Sequence, residues 1–201
     1  MIILLLRHGE SEGDLREVHE GRADFPLTER GREQAGKAAK WINENYRVNK
    51  IYSSTLVRAK ETANRVSMET NVPIELREGL MEFNNGKLAG MDREEAKSKY
   101  PEMKDLPIHE SVYDMESKLE FRFRAETILS EIISNNKEED VVVVVSHGGF
   151  INQLLSAYEK QPITTEIWHA TGDTGVHCLR YEQGKRGILY LNNTNHLMIC
   201  L

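Results

Sequence analysis

Arg7-His8-Gly9-Glu10-Ser11 follows directly on the apolar run Ile2-Ile3-Leu4-Leu5-Leu6. A short buried strand therefore delivers an arginine and a histidine side by side at its C-terminal end, where ligand sites of open α/β sheets lie. A neutral imidazole keeps a lone pair that can attack phosphorus. A guanidinium is planar, always charged and can grip two phosphate oxygens at once. Ser53-Ser54-Thr55-Leu56-Val57-Arg58-Ala59 and Val145-Ser146-His147-Gly148-Gly149 add a second arginine and a second histidine in the same kind of setting. A phosphate monoester is a dianion near neutrality. Arg7 and Arg58 would neutralise it, His147 would add a third donor, and His8 would be the nucleophile. Attack would give a phosphohistidine that water then hydrolyses, which is covalent catalysis in two steps. The same donors would stabilise charge on the equatorial oxygens of an in-line transition state. The arginines do the neutralising, so no metal is required, and the sequence has no obvious cluster of metal ligands. No cofactor is expected.

The elements that must position these residues follow from patterning. Ile2–Leu6 is continuously apolar, as a central parallel strand buried on both faces should be. Val141-Val142-Val143-Val144-Val145 has no helical logic and reads as the strongest strand of the chain. Lys50–Ser53 and Val72–Leu76 are shorter strands, and Val176–Tyr181 with Ile188–Leu191 form a final pair joined near Gln183-Gly184-Lys185. Helices are predicted from Thr28 as N-cap to Asn45, from Leu56 to Met68, from Asp92 as cap to Tyr100, from Met115 to Asn135 and from Phe150 to Tyr158. Gly13–Pro26, Glu78–Met91 and Pro101–Asp114 read as loops. Strands alternate with helices, so the expected class is α/β, a three-layer αβα sandwich around a mostly parallel central sheet. A single domain spanning 1–201 is expected, with a small cap-like insertion around 80–114.

The chain has 201 residues, 39% of them hydrophobic and 29% charged. That composition fits an ordinary globular domain. Its net charge of −6 argues against non-specific nucleic-acid binding, and an anionic substrate would need a locally positive pocket. Cys178 and Cys200 make no disulfide framework. The first apolar run is too short for a secretory segment, and no stretch approaches the ~18 apolar residues of a membrane span. A cytoplasmic protein acting on a small molecule, without nucleic acid or membrane, is expected. His19, His109, His169, His177 and His196 read as structural or surface residues, although His109 and His169 lie in loops that could reach a substrate. Phe121-Arg122-Phe123-Arg124 reads as a core stripe beside a solvated one.

Taken in order, these segments resemble the histidine phosphatase superfamily, or phosphoglycerate mutase-like family, over nearly the whole chain. Leu6–Ser11 is similar to its nucleophile motif, Pro26–Gly31 to its entry to the first helix, and Tyr52–Ser54 through Arg58-Ala59 and Thr62-Ala63 to its second arginine motif. Glu82 through Gly86 and Gly90 resemble its acid loop, and Ser146-His147-Gly148 its second histidine motif. The resemblance implies catalytic roles for His8, Glu82 and His147, with Glu82 the general acid for the leaving alkoxide. It also implies phosphate contacts from Arg7, Arg58, His147, Ser11 and Gly148. Three positions depart from the family pattern. Asp14 stands where an Asn is frequent and would repel a phosphate unless protonated or turned away, in which case Ser11 could take over. Leu88-Ala89 replaces Trp-Glu, and Met115 replaces Gly before Glu116-Ser117.

Family mutases carry a longer insertion that shields the phosphohistidine, whereas Gly90–Asp114 is short. An open site favours hydrolysis. The expected activity is a metal-independent phosphomonoester hydrolase, similar to the short broad-specificity and α-ribazole phosphatases. A mutase-type phosphotransferase is the alternative, followed by a non-catalytic phosphate-binding protein. Leu88, Met91, Met103 and Met115 lie in segments that could form an adaptable apolar wall.

Overall fold

A computed structural model describes residues 1–198; Cys200 lies outside the described residues. The strands are β1 (Ile2–Arg7), β2 (Lys50–Ser53), β3 (Ile74–Leu76), β4 (Val141–Ser146), β5 (Val176–Glu182) and β6 (Lys185–Asn193). The helices are α1 (Glu12–Leu15), α2 (Glu29–Asn45), α3 (Val57–Thr70), α4 (Arg93–Lys99), α5 (Lys118–Asn135) and α6 (Gly148–Tyr158). Among them, no helix is long and apolar enough to cross a membrane.

The sheet order is β3-β2-β4-β1-β5-β6. β1, β2, β3 and β4 run parallel, while β5 pairs antiparallel with both β1 and β6. The period of two along β1 explains the layers. Ile3 and Leu5 enter one core with α5 and α6, and Leu4 and Leu6 enter another with α2 and α3. All four side chains are completely or almost completely buried. At roughly 1.5–3 kcal/mol for each fully buried aliphatic side chain, this strand is held firmly in the middle of the sandwich.

Some boundaries differ from the sequence expectation for local reasons. Gly13–Pro26 is not entirely loop: Ser11 and Asp14 form a capping box that supports the single turn of α1. α5 begins at Lys118 rather than Met115, because Ser117 and Glu120 form another capping box. α6 begins at Gly148, with His147 as its N-cap residue. β3 starts only at Ile74, and β6 is longer at both ends than expected.

The Phe121–Arg124 stripe is arranged differently from expectation. Phe121 and Arg122 are buried, Arg124 is half-buried, and Phe123 is the exposed member. Arg122 donates to Ser156 O and Gln161 O below α6. Arg124 reaches the opposite way, into the loop around Glu82.

Candidate active site

β1 and β4 end together, at Arg7 opposite Ser146, so their next residues, His8 and His147, leave the sheet as neighbours. Their rings lie 5.1 Å apart between centroids. Gly9 permits this turn: a Cβ there would stand 2.4 Å from Gly31 O. Arg58 enters from the first turn of α3 and is fully buried. The structure thus brings together the four basic residues that the sequence singled out.

The His8 tautomer follows from its partners. Nδ1 lies 2.8 Å from Gly9 O, an acceptor only, so Nδ1 carries the proton and Nε2 the lone pair. Burial, then the Arg58 and Arg7 guanidiniums, hold His8 well below the usual histidine range, so the ring is neutral at pH 7. Arg58 Nε donates to His8 Nε2 at 3.3 Å, while its two terminal nitrogens donate to Ala23 O and Gly21 O. Only the Nε–H of Arg58 is directed at His8 Nε2.

His147 is also kept neutral, by burial first and then by Arg58, His8, Arg7 and Arg124. Its Nε2 lies 2.8 Å from Ser54 Oγ. With the Ser54 hydroxyl, which also accepts the Leu56 N–H, donating to His147 Nε2, the imidazole proton falls on Nδ1. That Nδ1 is buried and unpartnered, as is Arg7 Nε. Buried donors are almost always satisfied. Two unpartnered nitrogens, one on the residue before His8 and one on the ring 5.1 Å from it, mark a place for an acceptor-rich ligand.

The surroundings are not the bare cationic pocket that the net charge suggested. Arg7 pairs with Asp14 and Asp173, both at 3.3 Å, and donates to Thr171 O at 2.9 Å. Glu20 lies 3.7 Å from Arg58. Burial raises the pKa values of Glu20 and Asp173 above the usual carboxylate range, more than the nearby arginines lower them. Asp14 is therefore turned toward Arg7 and Ser11 and does not stand as a free carboxylate. Ser11 is held within the same cluster. Its hydroxyl caps α1 by accepting the Asp14 N–H, and it is engaged with the Asp14 and Glu20 carboxylates. Its place in the site is to organise these acids.

Glu82 sits at the start of α6, its Oε2 accepting the Gly149 N–H at 2.9 Å and its Oε1 the Phe83 N–H at 2.8 Å. A Cβ on Gly149 would come within 2.6 Å of Glu82 Oε1, so a side chain there would push the carboxylate aside. The loop is held from behind. Arg124 donates to Gly79 O, Met81 O and Glu82 O and pairs with Glu116 at 2.6 Å, while Arg22 donates to Glu82 O. Gly148, which opens α6, lies against Arg7: a Cβ on it would be 3.8 Å from Arg7 Nε.

Beyond Phe83 lies a cleft of about 700 Å³ whose lining includes Leu88, Tyr100, Met103, Tyr113 and Met115. Three of the four residues named for the apolar wall line it; Met91 does not. Of the other histidines, His19 lines the same cleft and the remaining four do not. His169 bonds with Glu159, His177 with Thr171, and His196 with Thr174, while His109 is exposed beside Glu110. Sequence reasoning missed Ser54 as a partner of His147, although it stands inside the Ser53–Arg58 motif. It also missed Glu20, Thr171 and Asp173, which lie in segments without motif or periodicity.

The model of the histidine phosphatase superfamily (branch 1) matches residues 3–194. The chain is 32% identical over 204 residues to the protein named "Probable phosphatase C1620.13" of Schizosaccharomyces pombe, covering 96% of this chain and 70% of that protein. It is 29% identical over 170 residues to a 2,3-bisphosphoglycerate-dependent phosphoglycerate mutase of Parvibaculum lavamentivorans, covering 79% and 80%. The solved phosphoserine phosphatase of Entamoeba histolytica, in complex with 3-phosphoglyceric acid, superposes with a TM-score of 0.80 at 27% identity, over 98% of each chain. The buried histidine pair, Arg7 at the end of β1, Arg58 in the first turn of α3 and these matches lead to one assignment: the chain belongs to the histidine phosphatase superfamily.

Proposed function

We propose that the protein is a metal-independent phosphomonoester hydrolase working through a phosphohistidine on His8. The observation that carries this reading is the set of donors around the His8 lone pair: Arg58 Nε at 3.3 Å, with Arg7 Nε and His147 Nδ1 unpartnered beside it. When a phosphate arrives, the Arg58 Nε–H passes from His8 Nε2 to a phosphoryl oxygen. This frees the lone pair in the same movement that binds the substrate. The Nε2–P bond forms as the ester P–O bond breaks, and the Glu82 carboxyl gives its proton to the leaving oxygen. Water then attacks phosphorus, Glu82 takes back a proton, and inorganic phosphate departs. Arg7 and Arg58 balance the dianion in place of a metal.

Hydrolysis is preferred to mutase transfer because the arginine side is open. The Arg7, Asp14 and Asp173 side chains are 21%, 29% and 26% exposed, so water reaches the phosphorus. The substrate proposed is a small phosphomonoester. Phe83, which follows Glu82 directly, lines the cleft, and this supports reading the cleft as the leaving-group side. Its aromatic and thioether lining suits an apolar or flat organic group.

The test is hydrolysis of an aryl phosphate, 3-phosphoglycerate, phosphoserine, sugar phosphates and a nucleoside monophosphate in the presence of a chelator, with mass spectrometry of His8. Turnover with phosphate on His8, both absent in His8→Ala while its thermal melt is unchanged, is expected. Substantial turnover in His8→Ala would overturn the mechanism. The aryl phosphate and nucleoside monophosphate should rank above 3-phosphoglycerate.

A further inference from the structure

The segment Thr171–Gly175 carries no sequence motif, yet it holds the Arg7-His8 pair at four points. Thr171 O and the Asp173 carboxylate take the Arg7 side chain. Gly175 O accepts the Arg7 backbone N–H at 3.3 Å, and the Thr174 N–H donates to His8 O at 3.2 Å. The regular β1–β5 ladder stops at Leu6 opposite Val176. The main chain of His8 is therefore fixed by two bonds beyond the ladders: its N–H to Ser146 O at 3.0 Å, and its carbonyl to Thr174.

Thr174 adopts a left-handed backbone, φ +52°, and is fully buried. A β-branched residue rarely does so, and such a conformation persists only where its surroundings over-determine it. Here they do. Thr174 Oγ1 is 2.9 Å from Nε2 of His196, itself buried. Next to it, the Gly175 N–H bonds Gly172 O, and the Gly172 N–H bonds Asn192 Oδ1. Burial lowers the pKa of His196 to about 4, so it is an uncharged partner at neutral pH.

We propose that Thr174 is a positioning residue for phosphoryl transfer: its hydroxyl, latched by His196, holds the left-handed turn whose N–H fixes the His8 main chain while neighbouring Asp173 fixes Arg7. The inference rests on His8 being the nucleophile. A misaligned nucleophile still allows phosphate to bind but slows its transfer.

Thr174→Val keeps the shape and branching and removes only the hydroxyl, and Thr174→Ser keeps the hydroxyl. With an aryl phosphate, Thr174→Val should lower kcat about tenfold, the scale of one lost hydrogen bond. The burst of His8 phosphorylation should slow in parallel, while KM and inhibition by inorganic phosphate stay within about twofold. Thr174→Ser should return kcat to within about twofold of the wild type. If Thr174→Val does not fold, His196→Gln against His196→Phe decides the same point, with the amide expected to retain more kcat than the ring. Equal kcat in wild type and Thr174→Val overturns the proposal. So does a loss of kcat and KM together that Thr174→Ser does not rescue. A wild type with neither turnover nor phosphate on His8 overturns the functional reading and this inference with it; an active wild type indifferent to Thr174→Val overturns this inference alone.

Discussion

The cradle at the ends of β1 and β4 and the cleft formed by the 80–118 region are built by opposite means. In the cradle, His8, Arg58 and His147 are buried, and backbone and side-chain hydrogen bonds from several separate segments fix them. The cleft has a single short helix, α4, an irregular stretch through Pro101–Asp114, and left-handed backbone at Asp105, Tyr113 and Asp114. Its Met103 side chain is half exposed. The groups proposed to meet phosphorus in one geometry are set by a rigid frame. Those proposed to meet the variable part of a substrate stand on a segment that can change without disturbing that frame.

The largest effect expected from breaking this contrast comes from Arg58→Lys. A lysine cannot keep the Gly21 O and Ala23 O contacts and still offer a donor beside His8 Nε2. kcat/KM should fall about 10²–10³-fold, with circular dichroism reporting an intact fold. Glu82→Gln comes next. It should slow esters with poor leaving groups by about 10–10² and an aryl phosphate by only a few-fold. An equal loss on both would remove Glu82 as the leaving-group acid.

The third test concerns the frame itself. His177 and His196 both have pKa values lowered to about 4, in each case first by burial. Below pH 6.5 the unfolded chain takes up protons that the folded chain refuses, so the stability these residues contribute is lost as pH falls. Between pH 7 and 5 the loss should be about 2 kcal/mol for each, read as the shift in urea midpoint. His8 and His147 act in the same direction. Glu20 and Asp173, raised by burial, act in the opposite direction over the carboxylate range. His177→Gln should flatten the pH dependence; an unchanged slope would contradict a buried neutral His177. The smallest effect belongs to the cleft. Leu88→Ala and Met103→Ala should change the ranking of substrates by less than about tenfold and leave the melt in place. Loss of all activity in either would show that the cleft is part of the frame.

What could be read from the sequence follows the same division. Continuous apolar runs and helical spacing are local signals, so β1, β4, α2 and the convergence of Arg7, His8, Arg58 and His147 were legible. The N-cap role of Ser11 was not legible, because an N-cap hydroxyl and a phosphate-binding hydroxyl look alike in sequence. The stripe Phe121–Arg124 deceived for another reason: α5 is pressed between α6 and the Glu82 loop, so the arginines are covered from two sides. Asp173 and Thr174 gave no signal, because their partners Arg7 and His8 lie more than 160 residues away in the chain.

That separation has a consequence for how the molecule assembles. β1 is the central strand, yet Leu4 lies opposite Val143 on one side and Cys178 on the other. Contacts so distant in sequence close late and slow folding. As the chain leaves the ribosome, the leucine-rich strand has no sheet partner until β4 emerges some 140 residues later. His8 and His147 therefore meet only when most of the chain is already made, and a ribosome stalled before β4 would hold an unpaired, aggregation-prone strand in need of a chaperone.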